Sequence, residues 1–359
     1  MFTPKRDIMR PQNNGNWALL LTVFVLLLET WLAAQSSANQ ATSSTQTSQS
    51  PSQAAAPQNQ TAPGGQAPET KEGGVYVFKK EVDEVVLHAT VVDDHNRLVT
   101  TLPRDDFTVF EDGKPQKITL FRREDIPVAM GIVLDNSGSM REKRSAVNAA
   151  AINLVQSSNP QDKVFVVNFN EEYFLDQDYT ASIPKLKDAL ERIEARGGTA
   201  LYDATVASAD HLKKSGDLEK KVLLVVTDGE DNASRESLEQ AVRRLQVENG
   251  PTVYTIGLLQ EEHSKRARRA LREMAEETGG VAFFPKDLGE VNAITSQIAH
   301  DIRNQYTIGY KPDNPQSTGG FRQVRVDAQA KGYKNLHVRT RSGYYAGQQR
   351  VASANPSTK

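Results

Sequence analysis

The sequence predicts an α/β protein with a doubly wound, mostly parallel sheet, plus a small β module built from the N- and C-terminal flanks. Three observations favour this fold class. Apolar runs typical of buried strands alternate with stretches at helical spacing through residues 125–304. Shorter strand-like runs, broken by Pro and Gly, lie on both sides of that region. The chain has 359 residues, 38% of them hydrophobic, which suffices for one full α/β core and something smaller.

The first 34 residues have the pattern of a secretory signal peptide. Lys5, Arg6 and Arg10 precede an apolar stretch at residues 17–28, and small residues follow it. A membrane span needs about 20 apolar residues, so the shorter stretch favours cleavage over an uncleaved anchor. Only the anchor would place the protein on a membrane. In both cases we expect export to the periplasm, the cell surface or the medium.

Two further segments are expected to be disordered. Residues 35–74 consist almost entirely of Gln, Ser, Thr, Ala, Pro, Asn and Gly, with almost no charge, which predicts a low-complexity linker. The tail at residues 347–359 is predicted to be disordered as well. The predicted domains therefore lie between these two segments.

Composition excludes several classes of function. The absence of cysteine excludes disulfides, thiolate metal sites, a cysteine nucleophile and a lipid anchor on Cys. The formal net charge is only −2, which gives no global attraction to nucleic acid or to an anionic membrane. We therefore expect no nucleic-acid partner.

The two flanks are predicted to consist of strands. In the segment at residues 75–124, residues 85–92 are typical of a strand, and residues 106–114 form a strand that enters a hairpin turn at Asp112-Gly113. In the segment at residues 305–346, strands are predicted at 306–311, 321–328 and 336–340. Neither flank is large enough to fold alone, so we expect the two to pair into one β module.

The central region, residues 125–304, carries the alternation of strands and helices. Strands are predicted at residues 128–134, 163–169, 221–227, 252–259 and 281–284. Helices are predicted at residues 141–157, 182–195, 201–214, 235–248, 264–278 and 288–304. A short run at residues 173–175, reached by a tight turn, is predicted to be an antiparallel edge strand. Such an alternation places a mostly parallel sheet between two layers of helices.

Five oxygen donors lie in three loops of this region. Asp135, Ser137 and Ser139 follow the first strand, Thr199 lies in a glycine-bent loop, and Asp228 follows the third strand. Open parallel sheets bind ligands at the carboxyl ends of their strands, so we expect these side chains to meet. Each one alone is also typical of a turn or a helix N-cap, but their joint occurrence in this order favours a metal site. The donor set suits Mg²⁺, with Mn²⁺ or Ca²⁺ as alternatives, and two carboxylates leave the ion open to a further ligand.

The pattern Asp135-x-Ser137-x-Ser139, the later Thr199 and the triplet Thr227-Asp228-Gly229 resemble the metal-ion-dependent adhesion site (MIDAS) of von Willebrand factor type A (VWA) domains. The resemblance implies that the two serines bind the metal directly. The threonine and the carboxylates would bind it directly or through water, and the remaining position would take an acidic group of a partner.

The flanks resemble those of exported bacterial proteins known as von Willebrand factor type A-related, which are abundant in acidobacteria. The motif DDFTVFEDGKPQKITLF stands before the central region, and QYTIGYKPDN and RSGYYA follow it. The similarity runs from about residue 75 to residue 346. It implies the architecture more firmly than the biological role, and its flank motifs are less specific than the metal-site motif.

We expect a non-enzymatic binding protein that captures an Asp or Glu side chain of another protein. A metal-dependent hydrolase is an alternative, but the six histidines show no ligand or triad spacing and no G-x-S-x-G elbow is present. A second alternative is binding of an anionic polysaccharide or lipid by the basic helix at residues 265–272. Nearby acidic residues, Glu273, Glu276 and Glu277, favour an ordinary solvated helix face there.

Overall fold

The structure, a computed structural model, describes residues 84–192, 195–215, 218–259, 265–313 and 319–347. The predicted signal peptide and linker, and all but the first residue of the predicted tail, lie outside these ranges. Within the described ranges, no helix is long and apolar enough to cross a membrane.

The N-terminal flank contributes four strands. They are β1 (Val85–Asp93), β2 (Phe107–Glu111), β3 (Lys114–Gln116) and β4 (Ile118–Arg122). The turn between β2 and β3 is the predicted Asp112-Gly113 pair. Both residues have positive φ, 48° and 77°, which is the backbone conformation that a tight two-residue hairpin requires.

The central region supplies the alternating elements. They are β5 (Val128–Asp135), α1 (Arg144–Gln156), β6 (Lys163–Phe169), β7 (Tyr173–Thr180), α2 (Ile183–Glu191), α3 (Leu201–Leu212), β8 (Lys220–Thr227), α4 (Leu238–Leu245), β9 (Thr252–Gly257), α5 (Lys265–Glu276), β10 (Ala282–Phe283) and α6 (Glu290–Arg303). The strands form a sheet in the order β10-β9-β8-β5-β6-β7. All neighbours are parallel except β7, which runs antiparallel to β6 at the edge. The predicted α/β fold class is confirmed.

Strand β5 lies in the middle of this sheet and all eight of its residues are buried. Its side chains alternate between two cores, as the strand period of two requires. Met130, Ile132 and Leu134 belong to the core on one face, and Ala129 and Val133 belong to the core on the other. Burial on both faces explains why this strand has a continuous apolar sequence instead of an alternating one.

The C-terminal flank contributes β11 (Tyr306–Tyr310), β12 (Phe321–Ala328), β13 (Leu336–Arg339) and β14 (Gly343–Tyr345). Strands of the two flanks interleave in two four-stranded sheets, β13-β1-β11-β4 and β14-β12-β2-β3. All pairings in them are antiparallel. The predicted β module built from both flanks is therefore confirmed as part of the fold class.

The two sheets of the β module share one core. Leu87 and Val109 from the N-terminal flank pack in it with Ile308 and Val326 from the C-terminal flank. A buried carboxylate, that of Glu111, accepts hydrogen bonds from the hydroxyls of Tyr310 and Tyr344 at 2.6 and 2.9 Å. Both flanks therefore contribute to the core of the β module.

Several predicted element boundaries were wrong by a few residues. The helix expected at residues 235–248 is shorter, because Ser237 accepts from the backbone N–H of Gln240 and Gln240 accepts from that of Ser237. This capping box fixes the start of α4 at Leu238. The edge strand expected at residues 173–175 extends to Thr180.

Lys220 is a buried cation at the beginning of β8. The residue is 4% exposed, and its ammonium group donates to the Ile302 carbonyl near the C-terminal end of α6. Burial, and after it the nearby charge of Arg303, lower the pKa of Lys220 from 10.5 to about 7, although Asp125 and Asp162 oppose the shift. The folded protein therefore releases this proton at a lower pH than the unfolded chain does.

This difference predicts a pH-dependent stability. Between pH 7 and 10.5 the unfolded chain keeps the proton that the folded chain has lost, so the free energy of unfolding should rise with pH. The rise should be at most about 1.4 kcal/mol per pH unit, and the Lys220→Met variant should lack it. Urea denaturation at pH 7, 8 and 9 measures the difference between the two proteins. Lys163→Met, at the exposed first residue of β6, is the control, and parallel profiles for wild type and Lys220→Met would contradict the prediction.

Candidate metal centre

Asp135 lies at the carboxyl end of β5 and is fully buried. Both of its carboxylate oxygens accept hydrogen bonds. The backbone N–H of Ser137 donates to Oδ1 at 2.7 Å, and the Thr227 hydroxyl of the neighbouring strand β8 donates to Oδ2 at 2.5 Å. The carboxylate is therefore held in one orientation between two adjacent strands.

Ser137 and Ser139 lie on the loop that follows β5, which forms a 3₁₀ turn at Gly138–Met140. Their hydroxyl oxygens are 3.2 Å apart. The Ser139 hydroxyl donates to Asp228 Oδ1 at 2.7 Å, and the Asp228 side chain is only 1% exposed. The two serines and Asp228 thus form a continuous chain of oxygen atoms across the ends of β5 and β8.

Thr199 approaches the same edge of the sheet from the loop before α3. This loop contacts the serine loop through a backbone hydrogen bond from Gly138 N–H to the Gly197 carbonyl, at 3.3 Å. The Thr199 N–H donates to Asn232 Oδ1 at 2.8 Å, which ties it to the segment after β8. Its hydroxyl lies beside Gly229, where an added Cβ would be 3.8 Å away. All five predicted ligand residues therefore lie at one edge of the sheet, and their binding of a metal stays a prediction.

The electrostatics of this edge favour a cation. Burial raises the pKa of Asp135, and the nearby charge of Asp228 acts in the same direction, whereas the hydrogen bonds from Thr227 and Ser137 oppose the shift. Two carboxylates with little access to water are costly unless a positive charge neutralises them. The Lys143 ammonium group contacts Asp228 Oδ2. The ammonium group of Lys143 is thus a cation that already contacts the donor set. The hard oxygen atoms of the donor set also fit a small divalent ion.

Sequence reasoning missed two residues of this centre. Thr227 was included only as part of a motif, although its hydroxyl bonds Asp135 directly. Lys143 was not singled out at all, because its four-residue distance from Ser139 carries no signal until the fold brings β5 and β8 together. Its position immediately before a helix, where a cation is electrostatically unfavourable, was the one available indication.

Comparison with known proteins identifies the central region. The family model of the von Willebrand factor type A domain matches residues 130–297. The central domain is a VWA domain. No curated protein matches the chain.

Solved structures with low identity resemble this VWA domain. They include the PilB minor pilin from Streptococcus sanguinis, with 15% identity, a TM-score of 0.43 and coverage of 50% of this chain and 62% of that chain. The vWF domain of the type V pili tip protein Mfa5 from Porphyromonas gingivalis has 13% identity and a TM-score of 0.43, with coverage of 50% of this chain and 95% of that chain. A von Willebrand factor type A protein from Catenulispora acidiphila has 15% identity and a TM-score of 0.42, with coverage of 76% of this chain and 77% of that chain. The chain thus spans less than two thirds of the length of the PilB structure.

A second group of possible ligands lies in the β module. Ligand atoms of Asp93, Asp94 and His95 lie within 4.8 Å of one another. Asp93, however, accepts from the guanidinium of Arg97 at 2.8 Å and from the backbone N–H groups of His95 and Arg97 at 2.9 Å each. The bonds from Arg97 lower the pKa of Asp93 to about 2. These contacts explain the cluster as a turn in which Asp93 binds groups of the same turn, without a metal ion.

The basic helix, α5, makes contacts within the VWA domain. Arg268 and Arg272 lie over the ring of Phe284, at 4.7 and 5.4 Å from its centroid. Arg269 pairs with Glu273 at 3.4 Å. Three of the five basic residues of this helix thus have partners inside the protein, which weakens the interpretation of α5 as a surface for anionic ligands.

Proposed function

We propose that this protein is an exported, non-enzymatic binding protein whose VWA domain captures an Asp or Glu side chain of a partner protein through a bound metal ion. Mg²⁺ is the favoured ion, with Mn²⁺ or Ca²⁺ as alternatives, and its ligands would be Asp135, Ser137, Ser139, Thr199 and Asp228. The observation that supports this most is the continuous chain of oxygen atoms from Ser137 through Ser139 to Asp228.

The composition of the donor set supports capture of a carboxylate. A bound Mg²⁺ would be surrounded by only two negatively charged ligands, because the three hydroxyls are neutral. The ion would therefore stay electrophilic enough to attract a further anionic oxygen. A hydrolase is less supported. A general base would be needed beside the ion, whereas Asp135 and Asp228, the two carboxylates of the donor set, are already assigned to the ion as ligands.

An exposed apolar run near the donor set supports a protein as the partner. Tyr173, Phe174 and Leu175 begin β7 and are 50%, 46% and 47% exposed. Phe169 is in register with Asp135 on one side and with Tyr173 on the other. At a strand spacing of about 4.8 Å, the run therefore begins roughly 10 Å from Asp135 on the same edge of the sheet. A partner that reached the ion could bury these side chains as well.

Removal of a single ligand should strongly reduce capture. Full-length protein, immobilised and incubated with a solubilised fraction of the native cell envelope, should retain a partner in Mg²⁺ and release it in EDTA. The Ser139→Ala and Asp228→Ala variants should retain at least about tenfold less, since each lost contact to a charged group contributes more than about 1.4 kcal/mol. Mass spectrometry of the bound fractions measures the difference.

The control removes a hydroxyl elsewhere in the VWA domain. Ser296→Ala, on the exposed side of α6, should retain as much partner as wild type. Circular dichroism must show that all variants are folded. If the same proteins are retained in EDTA and by both ligand variants, the proposed mode of binding is wrong; loss in high salt but not in EDTA would favour α5 instead.

A further inference from the structure

Lys143 contacts the candidate metal centre directly. Its ammonium group pairs with Asp228 Oδ2, while the Ser139 hydroxyl holds the other oxygen, Oδ1. The Lys143 side chain is 20% exposed and the Asp228 side chain is 1% exposed. The pair is therefore largely shielded from water. An ionic contact at such a shielded position is stronger than one at a fully exposed site.

The backbone fixes Lys143 in this place. Its N–H donates to the Met140 carbonyl at 2.9 Å, and its own carbonyl accepts from the Val147 N–H at 3.1 Å. The first contact ties it to the 3₁₀ turn that carries Ser139, and the second ties it to α1. The ammonium group is thus held next to the serine loop by two short backbone connections.

The requirements of α1 do not explain a lysine at this position. Lys143 is the N-cap residue of α1, makes no side-chain cap, and is followed by no acidic residue in the first turn. Ser, Thr, Asp and Asn are the preferred N-caps, and a cation at a helix N-terminus is disfavoured by the helix dipole. The stabilising contact of this lysine is therefore the one with Asp228.

We propose that Lys143 is an internal counter-ion that competes with the divalent metal for Asp228 and so sets the metal affinity of the centre. The inference rests on the proposed function. A divalent ion and an ammonium group on the same carboxylate repel each other, so the charge of Lys143 would weaken the binding of a divalent ion.

Replacement of the charge should have two opposite effects. Lys143→Met should lower the dissociation constant for Mn²⁺ about tenfold or more, because the competing charge is gone. The same variant in EDTA should unfold at a lower temperature than wild type, because the shielded Asp228 carboxylate loses its counter-ion. Lys143→Arg keeps the charge and should bind Mn²⁺ about as wild type does.

The measurement is titration of the full-length protein with Mn²⁺, by calorimetry and by the electron paramagnetic resonance signal of the unbound ion, together with thermal unfolding in EDTA. Lys213→Met, which removes an exposed pair with Asp210, is the control and should change neither readout. Tighter Mn²⁺ binding by Lys143→Met with lower stability in EDTA supports the inference.

The outcomes separate the two proposals. Equal Mn²⁺ affinity for wild type and Lys143→Met overturns the role of Lys143 and leaves the metal centre standing. Binding by Lys143→Met but not by wild type supports the role of Lys143 and overturns metal-dependent capture by the natural protein. Binding by neither overturns both.

Discussion

A chain that ends at Asn304 should keep the VWA domain but lose the folded structure of residues 84–124. Strand β11 lies between β1 and β4, and β12 lies between β2 and β14, so this truncation leaves β1 and β4 without the strand that joins them. It also removes Tyr306, Ile308 and Tyr310 from the core of the β module. Loss of one large buried side chain costs about 2–5 kcal/mol, so the loss of these three is comparable to the roughly 5–15 kcal/mol that stabilises a typical domain.

Limited proteolysis followed by mass spectrometry measures this effect. Trypsin should cut rapidly within residues 84–124 of the truncated chain and slowly within the same residues of the full-length protein. A chain that ends at Gly347 retains all described strands of the β module and is the matched control. If the truncated and full-length proteins resist trypsin equally, the flanks do not depend on each other.

The central sheet was predictable because burial on both faces leaves a clear pattern in the sequence. β6 was predicted with its observed bounds, and β5 ended within one residue of its predicted end, since continuous apolar residues are required where helices cover both faces. Asp135 and Asp228 could be placed at one edge because parallel neighbours end together. These parts depend on local sequence and on a general rule of sheet topology.

Other parts of the fold and of the candidate site could not be predicted, because they depend on contacts between distant segments of the chain. β14 has only three residues, too few for a period to identify it. β14 is defined by pairing with β12, where a Cβ on Gly343 would lie 2.3 Å from the Arg322 carbonyl oxygen. Lys143 likewise acquires its role only when the loops after β5 and β8 meet. Such features become visible only when the pairing of the segments is known.

Mg²⁺ should stabilise the wild-type protein strongly and should fail to stabilise an Asp135→Asn variant. An ion that binds only the folded state at a concentration 100 times its dissociation constant adds about 2.7 kcal/mol to the free energy of unfolding. For a protein of this size, that corresponds to a rise of roughly 5–10 °C in the melting temperature. Asp135→Ala should also lose this rise, but it leaves the Ser137 N–H and the Thr227 hydroxyl without their acceptor.

The asparagine variant separates metal binding from folding. Asn keeps the shape of the side chain and one acceptor oxygen, but removes the charge whose burial raises the pKa of Asp135. Because the folded-state pKa is raised, the charged carboxylate destabilises the ion-free protein above the ordinary pKa of Asp, and Asn removes that cost. In EDTA the variant should therefore melt at a temperature equal to or above that of wild type, whereas in Mg²⁺ it should melt below wild type.

Direct measurement of Mn²⁺ binding to wild type and Asp135→Asn tests the central claim, that the ends of β5 and β8 and the Thr199 loop form a metal centre. The unbound ion is measured by electron paramagnetic resonance during titration of each folded protein. We predict saturable binding at a single site in wild type and a dissociation constant at least about a hundredfold higher in the variant, since a lost carboxylate ligand costs several kcal/mol. Identical binding curves for the two proteins would contradict the claim.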